Sequence, residues 1–359
     1  MGLESKKDSI LQEDLTNLVM DKRIPQALQN QCLLVSGATG LIGSQLIKAL
    51  LCANRLNDMH IKIIGIARNP QKVKQVFADV LDRDELSFVY GDIEKPLLID
   101  DNIDYIIHGA SATASKTFVS KPVEVIKTSI DGTYNLLKLA VDKKIKGFVY
   151  LSSMEMYGVV DEDKRYADEA MLGKIDVLNI RSCYSEGKRM CENLCASFAS
   201  EYGVPVKIAR LSQTFGSGVS KDETRVFAQF IRSALNKEDI VLHTAGTSYG
   251  NYCYTCDTIA ALLLILIKGN VGEAYNVSNE STNIMIKDMA TLVATKLADN
   301  QIKVIFDIPE DNLKYGYAPD VLLKLNAAKL RSLGWQPTYD LAQMYQRTMQ
   351  SFILQAEDE

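Results

Sequence analysis

With 359 residues, a net charge of −5 and a pI near 5.5, the chain excludes a broad basic surface for nucleic acid. It is 47% hydrophobic and 24% charged, an ordinary composition for a soluble protein with one large core and a smaller second one. The longest apolar run, 259–267, is too short to cross a bilayer, and residues 1–7 lack the apolar stretch of a signal peptide.

Seven cysteines, an odd number without disulfide-like spacing, suit a reducing compartment, so the expected location is the cytoplasm. Cys253 and Cys256 form a C-x-x-C, but no second pair or nearby histidine completes a zinc site, and packing is their expected role. His60, His108 and His243 lie far apart, so no metal site is expected.

Residues 1–30 precede the first strand. Ile10, Leu11, Leu15, Leu18 and Val19 recur at helical spacing, which predicts a short helical extension packed on the body or on a partner subunit. Residues 32–36 then read as a buried strand. They run into Gly37-Ala38-Thr39-Gly40-Leu41-Ile42-Gly43, and Leu46, Ile47, Leu50 and Leu51 continue with a helix period. Strand, G-x-x-G-x-x-G and helix together place a pyrophosphate on a helix N-terminus. A second strand, 61–67, ends at Arg68. No acidic residue is there for ribose hydroxyls, and Arg68 suits either a solvent-exposed position or the 2′-phosphate of NADP.

A third strand, 86–90, leads to Gly91, Asp92 and Ile93, where an adenine would lie. The fourth, 105–107, leads to small residues including Ala110 and Ser111 that leave room for a cofactor. After a helix at 122–141, the fifth strand, 147–151, ends in Ser152, Ser153, Met154 and Glu155, which therefore point to the cofactor crevice. A sixth strand at 206–211 completes the alternation of strands and helices. The fold expected is α/β, a Rossmann-type doubly wound parallel sheet with a smaller α+β substrate domain. The dinucleotide-binding domain is expected over 31–215. Residues 216–359 are expected mainly to bind substrate, with some segments free to return to the first domain. They open with a helix from 225–231, two strands around Gly246 and a short strand at 275–278.

Tyr184 and Lys188 lie four apart and so share one helix face. A free tyrosine, with a pKa near ~10, is a poor base at neutral pH; an adjacent ammonium and a cationic nicotinamide would lower it. Tyr184 could then take a proton from a substrate hydroxyl as hydride leaves the same carbon.

Together these motifs resemble the extended short-chain dehydrogenase/reductases, in the nucleotide-sugar epimerase, dehydratase and decarboxylase branch. The resemblance covers about 32–337. Gly37, Gly40 and Gly43 match the cofactor loop, Asp92 the position that meets the adenine, and Ser153, Tyr184 and Lys188 the catalytic triad. The stretch from Asp320 through Trp335, Gln336 and Pro337 is similar to the family's closing segment. Residues 181–189 are most similar to the catalytic helix of UDP-glucuronate decarboxylases. Glu155 matches a glutamate that those enzymes and the 4,6-dehydratases carry, and Arg225 an arginine that holds the substrate diphosphate. There are three departures. Gly250 stands where decarboxylases carry an arginine near the sugar carboxylate, Met154 where dehydratases carry an aspartic acid, and Gln213 where a substrate-binding asparagine is usual.

The resemblance implies transient C4 oxidation of a nucleotide sugar by bound NAD, Arg68 leaving NADP open, with Tyr184 and Lys188 also meeting the cofactor, Lys188 holding its ribose, and Ser153 hydrogen-bonding the reacting oxygen. Decarboxylase-like or 4,6-dehydratase-like processing would follow; 4-epimerisation is the alternative, and a silent cofactor-sensing regulator the alternative of another class. It also implies a homodimer. Neither nucleic acid nor a membrane is an expected partner.

Overall fold

Short apolar segments separated by helices give this chain its frame, and the computed structural model describes residues 2–113, 115–160, 166–308 and 322–357 of it. In chain order the first strands are β1 (Cys32–Ser36), β2 (Lys62–Ala67), β3 (Leu86–Tyr90), β4 (Tyr105–His108), β5 (Gly147–Ser153), β6 (Tyr166–Ala167) and β7 (Val206–Leu211). The later ones are β8 (Gln213–Phe215), β9 (Ile240–Leu242), β10 (Tyr249–Tyr254), β11 (Ala274–Val277), β12 (Asn279–Met285), β13 (Val304–Phe306) and β14 (Lys324–Leu325). Seven form the central sheet, in the order β3-β2-β1-β4-β5-β7-β11, and every pairing in it is parallel. The order reverses between β1 and β4, which opens a ligand crevice outside their carboxyl ends.

Period-two alternation decides which face each side chain serves. Leu33 and Val35 bury on one face, under α2 (Leu41–Asn57) and α8 (Thr255–Lys268), while Cys32 and Leu34 bury on the other, under α5 (Pro122–Lys143) and α6 (Cys183–Tyr202). Helices on both faces make the sheet doubly wound, as its sequence pattern requires. Pro122 starts α5 at a position where no intrahelical N–H is lost. Gly203, at φ +68°, ends α6 in the left-handed region that a residue with a Cβ adopts only with strain.

The predicted N-terminal helix, Ser9–Met20, packs on α2, on α8 and on the C-terminal helix Leu341–Glu357. Its Asp14 is buried, pairs with Arg347 at 2.7 Å and accepts from the Tyr254 hydroxyl at 2.6 Å. The extension is thereby bolted to the body.

A three-stranded sheet, β8-β10-β12, stands beside the central one, and β9 pairs with β13 and β6 with β14. Two of its strands were not legible. Gln213–Phe215 reads as the loop after the sixth strand but pairs in parallel with Tyr252–Tyr254, and β12 is a polar run held by pairing with β10. Cys253 and Cys256 are both buried, one on β10 and the other on α8. Trp335 is buried with its Nε1 donating to the Asp257 carbonyl at 2.9 Å, whereas Asp320 lies outside the described residues.

Candidate active site

The crevice begins at the glycine loop. Gly37 has φ +72°, and a Cβ there would lie 2.8 Å from the Gly109 carbonyl carbon; at Gly43 it would lie 2.3 Å from the Gly37 carbonyl oxygen. Without side chains, the loop closes on the end of β4 and α2 closes on the loop. Gly40 is the N-cap of α2 and brings no side-chain acceptor, and the first turn holds no acidic residue. The first N–H groups of a long helix therefore face the crevice unneutralised, ringed by the partly exposed Thr39, Leu41 and Ile42. This cradle fits the pyrophosphate of a dinucleotide.

Around the adenine position the geometry is mixed. Asp92 accepts from the Glu94 N–H at 3.1 Å, so one carboxylate oxygen holds its own turn. The Ile93 side chain is buried against Gly132, and its carbonyl accepts from Asn135 at 2.8 Å. Arg68 is exposed at the end of β2, while Asn69 beside it caps the next helix. Ala110 donates its N–H to Ser36 Oγ at 3.2 Å, and the Ser111 hydroxyl donates to the Ala112 carbonyl.

The candidate catalytic groups read from the sequence gather at the carboxyl end of β5. Ser153 ends that strand and caps a single 3₁₀ turn, Met154–Tyr157, by accepting from the Glu155 N–H at 3.2 Å. The turn swings Glu155 over the start of α6, where Arg181 meets it at 3.4 Å. Tyr184 sits in the first turn of α6, 8% exposed, its ring stacked on Phe118 with centroids 4.4 Å apart and planes 12° from parallel.

Electrostatics here differ from the simple lysine–tyrosine pairing. Burial pushes the Tyr184 phenol up to about 12, the Glu155 carboxylate adds to the rise, and a hydrogen bond with Ser153 and the charge of Arg225 oppose it. Among the described residues, no hydrogen bond joins Lys188 to that hydroxyl. Its buried Nζ donates to the Leu151 carbonyl at 2.7 Å and lies 5.6 Å from the centre of the Tyr184 ring. Burial lowers the Lys188 pKa to about 8, against the nearby Cys191, Glu192 and Cys195. Burial also raises Glu155, with Arg181 pulling the other way. Ser153, Tyr184 and Glu155 are thus brought together, while Lys188 stands one layer beneath.

Beneath them runs a network the sequence reading did not assign. Gly109 and Ala110 both donate to Ser36 Oγ, so the Ser36 hydrogen goes to His108 Nδ1 at 2.7 Å. His108 Nε2 must then donate to Thr133 Oγ1 at 3.1 Å, and Thr133 donates to the Ser129 carbonyl. Burial, then the Lys188 charge, lowers His108 to about 3, which keeps this relay neutral. Further along, Ser152 donates to Glu192 at 2.6 Å, Arg210 pairs with Glu192 at 2.8 Å, and Arg210 reaches the Tyr157 hydroxyl at 3.0 Å. The i, i+4 spacing of Glu192 from Lys188 was a visible clue; Arg210 and Phe118 carry none.

Of the candidate substrate-binding residues, Arg225 occupies the N-cap position of α7 (Val226–Asn236), pairs with Glu223 at 2.8 Å and lies over the Phe227 ring. Gln213 is half-buried beside Tyr252, which pairs with it in register. A Cβ at Gly250 would lie 2.3 Å from the Tyr252 hydroxyl, so the phenol occupies the space that an arginine at 250 would need.

Over residues 33–278 the chain matches the family described as NAD dependent epimerase/dehydratase. UDP-glucuronic acid decarboxylase 3 of Arabidopsis thaliana is 29% identical over 313 residues, covering 87% of this chain and 86% of that protein. The crystal structure of dTDP-glucose 4,6-dehydratase from Bacillus anthracis, in complex with NAD, matches with a TM-score of 0.74. Identity is 21%, over 91% of this chain and 98% of that one. UDP-glucuronic acid 4-epimerase from Bacillus cereus, in complex with UDP-glucuronic acid and NAD, gives a TM-score of 0.72 at 20% identity, over 90% and 99% of the two chains. The likeness to these two structures shows the shared fold, and the match to the family covers well over half of the sequence: the chain belongs to the NAD dependent epimerase/dehydratase family.

Proposed function

We propose that this chain is an enzyme that modifies a nucleotide sugar through transient oxidation at C4, followed by decarboxylase-like or 4,6-dehydratase-like processing. The convergence of Ser153, Tyr184 and Glu155 at the carboxyl end of β5, beside the dinucleotide cradle, carries this reading. Bound NAD would supply the hydride acceptor. Tyr184 takes the C4 hydroxyl proton, Ser153 hydrogen-bonds the reacting oxygen, and Lys188 fixes the floor of the site through Leu151. Glu155 serves the second step, at the position next to the new ketone. Residues 216–359 supply most of the substrate pocket, with Arg225 on the diphosphate and Gln213 on the sugar side.

Between the two second steps, decarboxylation is preferred. An arginine at 250 would need Tyr252 to move, but Arg181 stands beside Glu155 and provides a cation for a sugar carboxylate. Met154 offers no proton for a departing hydroxyl. Incubation with UDP-glucuronate and, separately, with dTDP-glucose should release carbon dioxide from the first. A 4-keto-6-deoxy product from the second alone would assign dehydration. Clean C4 inversion of a neutral sugar without either product would make the chain an epimerase, and no turnover across a panel would leave a cofactor sensor.

NAD is the proposed cofactor, with Arg68 exposed and without a role in the phosphate cradle. Titrating both dinucleotides into stripped protein should give saturation with NAD. A preference for NADP that disappears in Arg68→Ala would reverse the assignment. The chain is proposed to act as a homodimer in the cytoplasm. Val123, Ile126, Tyr134 and Met190 leave an exposed apolar stripe on α5 and α6 suited to a second copy, and all seven cysteines are free thiols.

A further inference from the structure

Arg181 lies three residues before Tyr184, on a 3₁₀ turn (Ile180–Ser182) that leads directly into α6. Asn179 caps that turn by accepting the Arg181 N–H at 3.0 Å, and the Ser182 hydroxyl donates to the Asp176 carbonyl at 2.7 Å. The backbone beneath the guanidinium is therefore fixed. Its side chain makes two contacts of different kinds. Nη1 meets Glu155 Oε2 at 3.4 Å, and the guanidinium carbon lies 5.8 Å from the centre of the Phe118 ring. Phe118 comes from a separate short helix, Ser115–Ser120, is 1% exposed, and stacks on Tyr184. The Cys183 thiol, between Arg181 and Tyr184 in sequence, donates to the Phe118 carbonyl at 3.4 Å. Phe118 is thus contacted by Arg181, Cys183 and Tyr184, all within one four-residue stretch of chain.

We propose that Arg181 is the positioning residue of this site: it holds the Glu155 carboxylate through its N–H edge and, through Phe118, fixes the plane of the Tyr184 ring. The inference rests on the catalytic reading of Tyr184 and Glu155 given above, and adds how one side chain sets both. Arginine suits the task because its planar fork can donate in its plane while its face lies against a ring, which an ammonium cannot do. A plain rim ion pair would need only the Glu155 contact; the buried Phe118–Tyr184 stack under the same guanidinium is the second, independent observation.

The charged and titratable groups that face Glu155 among the described residues are Arg181, Tyr184 and Cys183. Only Arg181 favours the carboxylate, so its removal should raise the pH at which Glu155 titrates. The full-length protein, labelled with ¹³C at glutamate side chains and assigned with Glu155→Gln, reads this directly. In Arg181→Met the Glu155 midpoint should rise by about one pH unit, the lower end of what an adjacent opposite charge contributes. Arg181→Lys keeps the charge and should leave the midpoint near wild type, yet lower kcat on the order of ten- to a hundredfold because the stack is released. Phe118→Leu should reproduce that loss with an unchanged Glu155 midpoint.

An unmoved midpoint in Arg181→Met, or in Arg181→Gln should the Met variant not fold, would overturn the Glu155 arm. Wild-type kcat in both Arg181→Lys and Phe118→Leu would overturn the Tyr184 arm. The catalytic reading fails separately. If Tyr184→Phe turns over at the wild-type rate while the Glu155 midpoint shifts as stated, the coupling stands and the role of Tyr184 falls.

Discussion

Tyr184→Phe should fold, bind cofactor and lose turnover by about 10²–10⁴-fold, the range a positioned acid–base group contributes. The substitution removes one oxygen from a ring that is otherwise held by packing. Phe118 stacks on it at 4.4 Å and Lys188 lies over its face, and neither contact needs the hydroxyl. What disappears is the hydrogen bond with Ser153 and the only proton acceptor at that position. The size of the loss follows from how hard the protein makes the phenolate to form. Burial and the Glu155 charge hold the phenol up at about 12, so ionised tyrosine is scarce at neutral pH in the protein alone. Arg225 already opposes that rise, so bringing the phenol further down takes additional positive charge delivered to the crevice. In wild type, kcat should therefore rise with pH until the phenol ionises, and Tyr184→Phe should flatten that limb. Dinucleotide titration and turnover measured on one preparation check both halves. A wild-type rate in the Phe variant would remove Tyr184 from the chemistry.

Much of this arrangement was legible because the motifs are local. The glycine loop, its strand and its helix are consecutive, and their residues fall where the loop geometry demands: Gly37 in the left-handed region, Gly43 against the loop carbonyl. Tyr184 and Lys188 are likewise set by helical spacing, and Ser153 and Glu155 by the end of β5. What the sequence could not give is the direction of the lysine. Four-residue spacing puts both side chains on one face, but the depth of burial turns Lys188 down to the Leu151 carbonyl. The β12 strand escaped for a related reason: its polar residues have no alternation, and pairing with β10 decides their conformation. Phe118 and Arg210 reach the site across 66 and 18 residues of chain from their partners at positions 184 and 192, a distance at which no periodicity speaks.

Glu192→Ala should destabilise the fold by about 3–5 kcal/mol, the cost typical of stripping one partner from a buried ion pair. Glu192 and Arg210 are 9% and 8% exposed at their side chains, and three Arg210 hydrogen bonds end on the Glu192 carboxylate. Burial works against the Arg210 charge, and the bonds and charge of Glu192 more than offset it. Without the carboxylate, a guanidinium remains between β5, β7 and α6 with, among the described residues, only the Tyr157 hydroxyl and the Glu169 carbonyl as acceptors. Ser152 loses its acceptor in the same step, and Ser152 is the neighbour of Ser153. The loss should therefore appear in stability first and in turnover second. Urea melts should show the midpoint falling with the slope unchanged, and the folded fraction at low urea should turn over more slowly than wild type. The paired variant Glu192→Leu with Arg210→Met should recover most of the stability, because an apolar pair of similar volume leaves no orphaned charge. It should not recover the rate, since Ser152 still lacks its acceptor. A Glu192→Ala unfolding free energy within about 1 kcal/mol of wild type would mean that water reaches Arg210, and that the floor beneath Ser153 is held by packing alone.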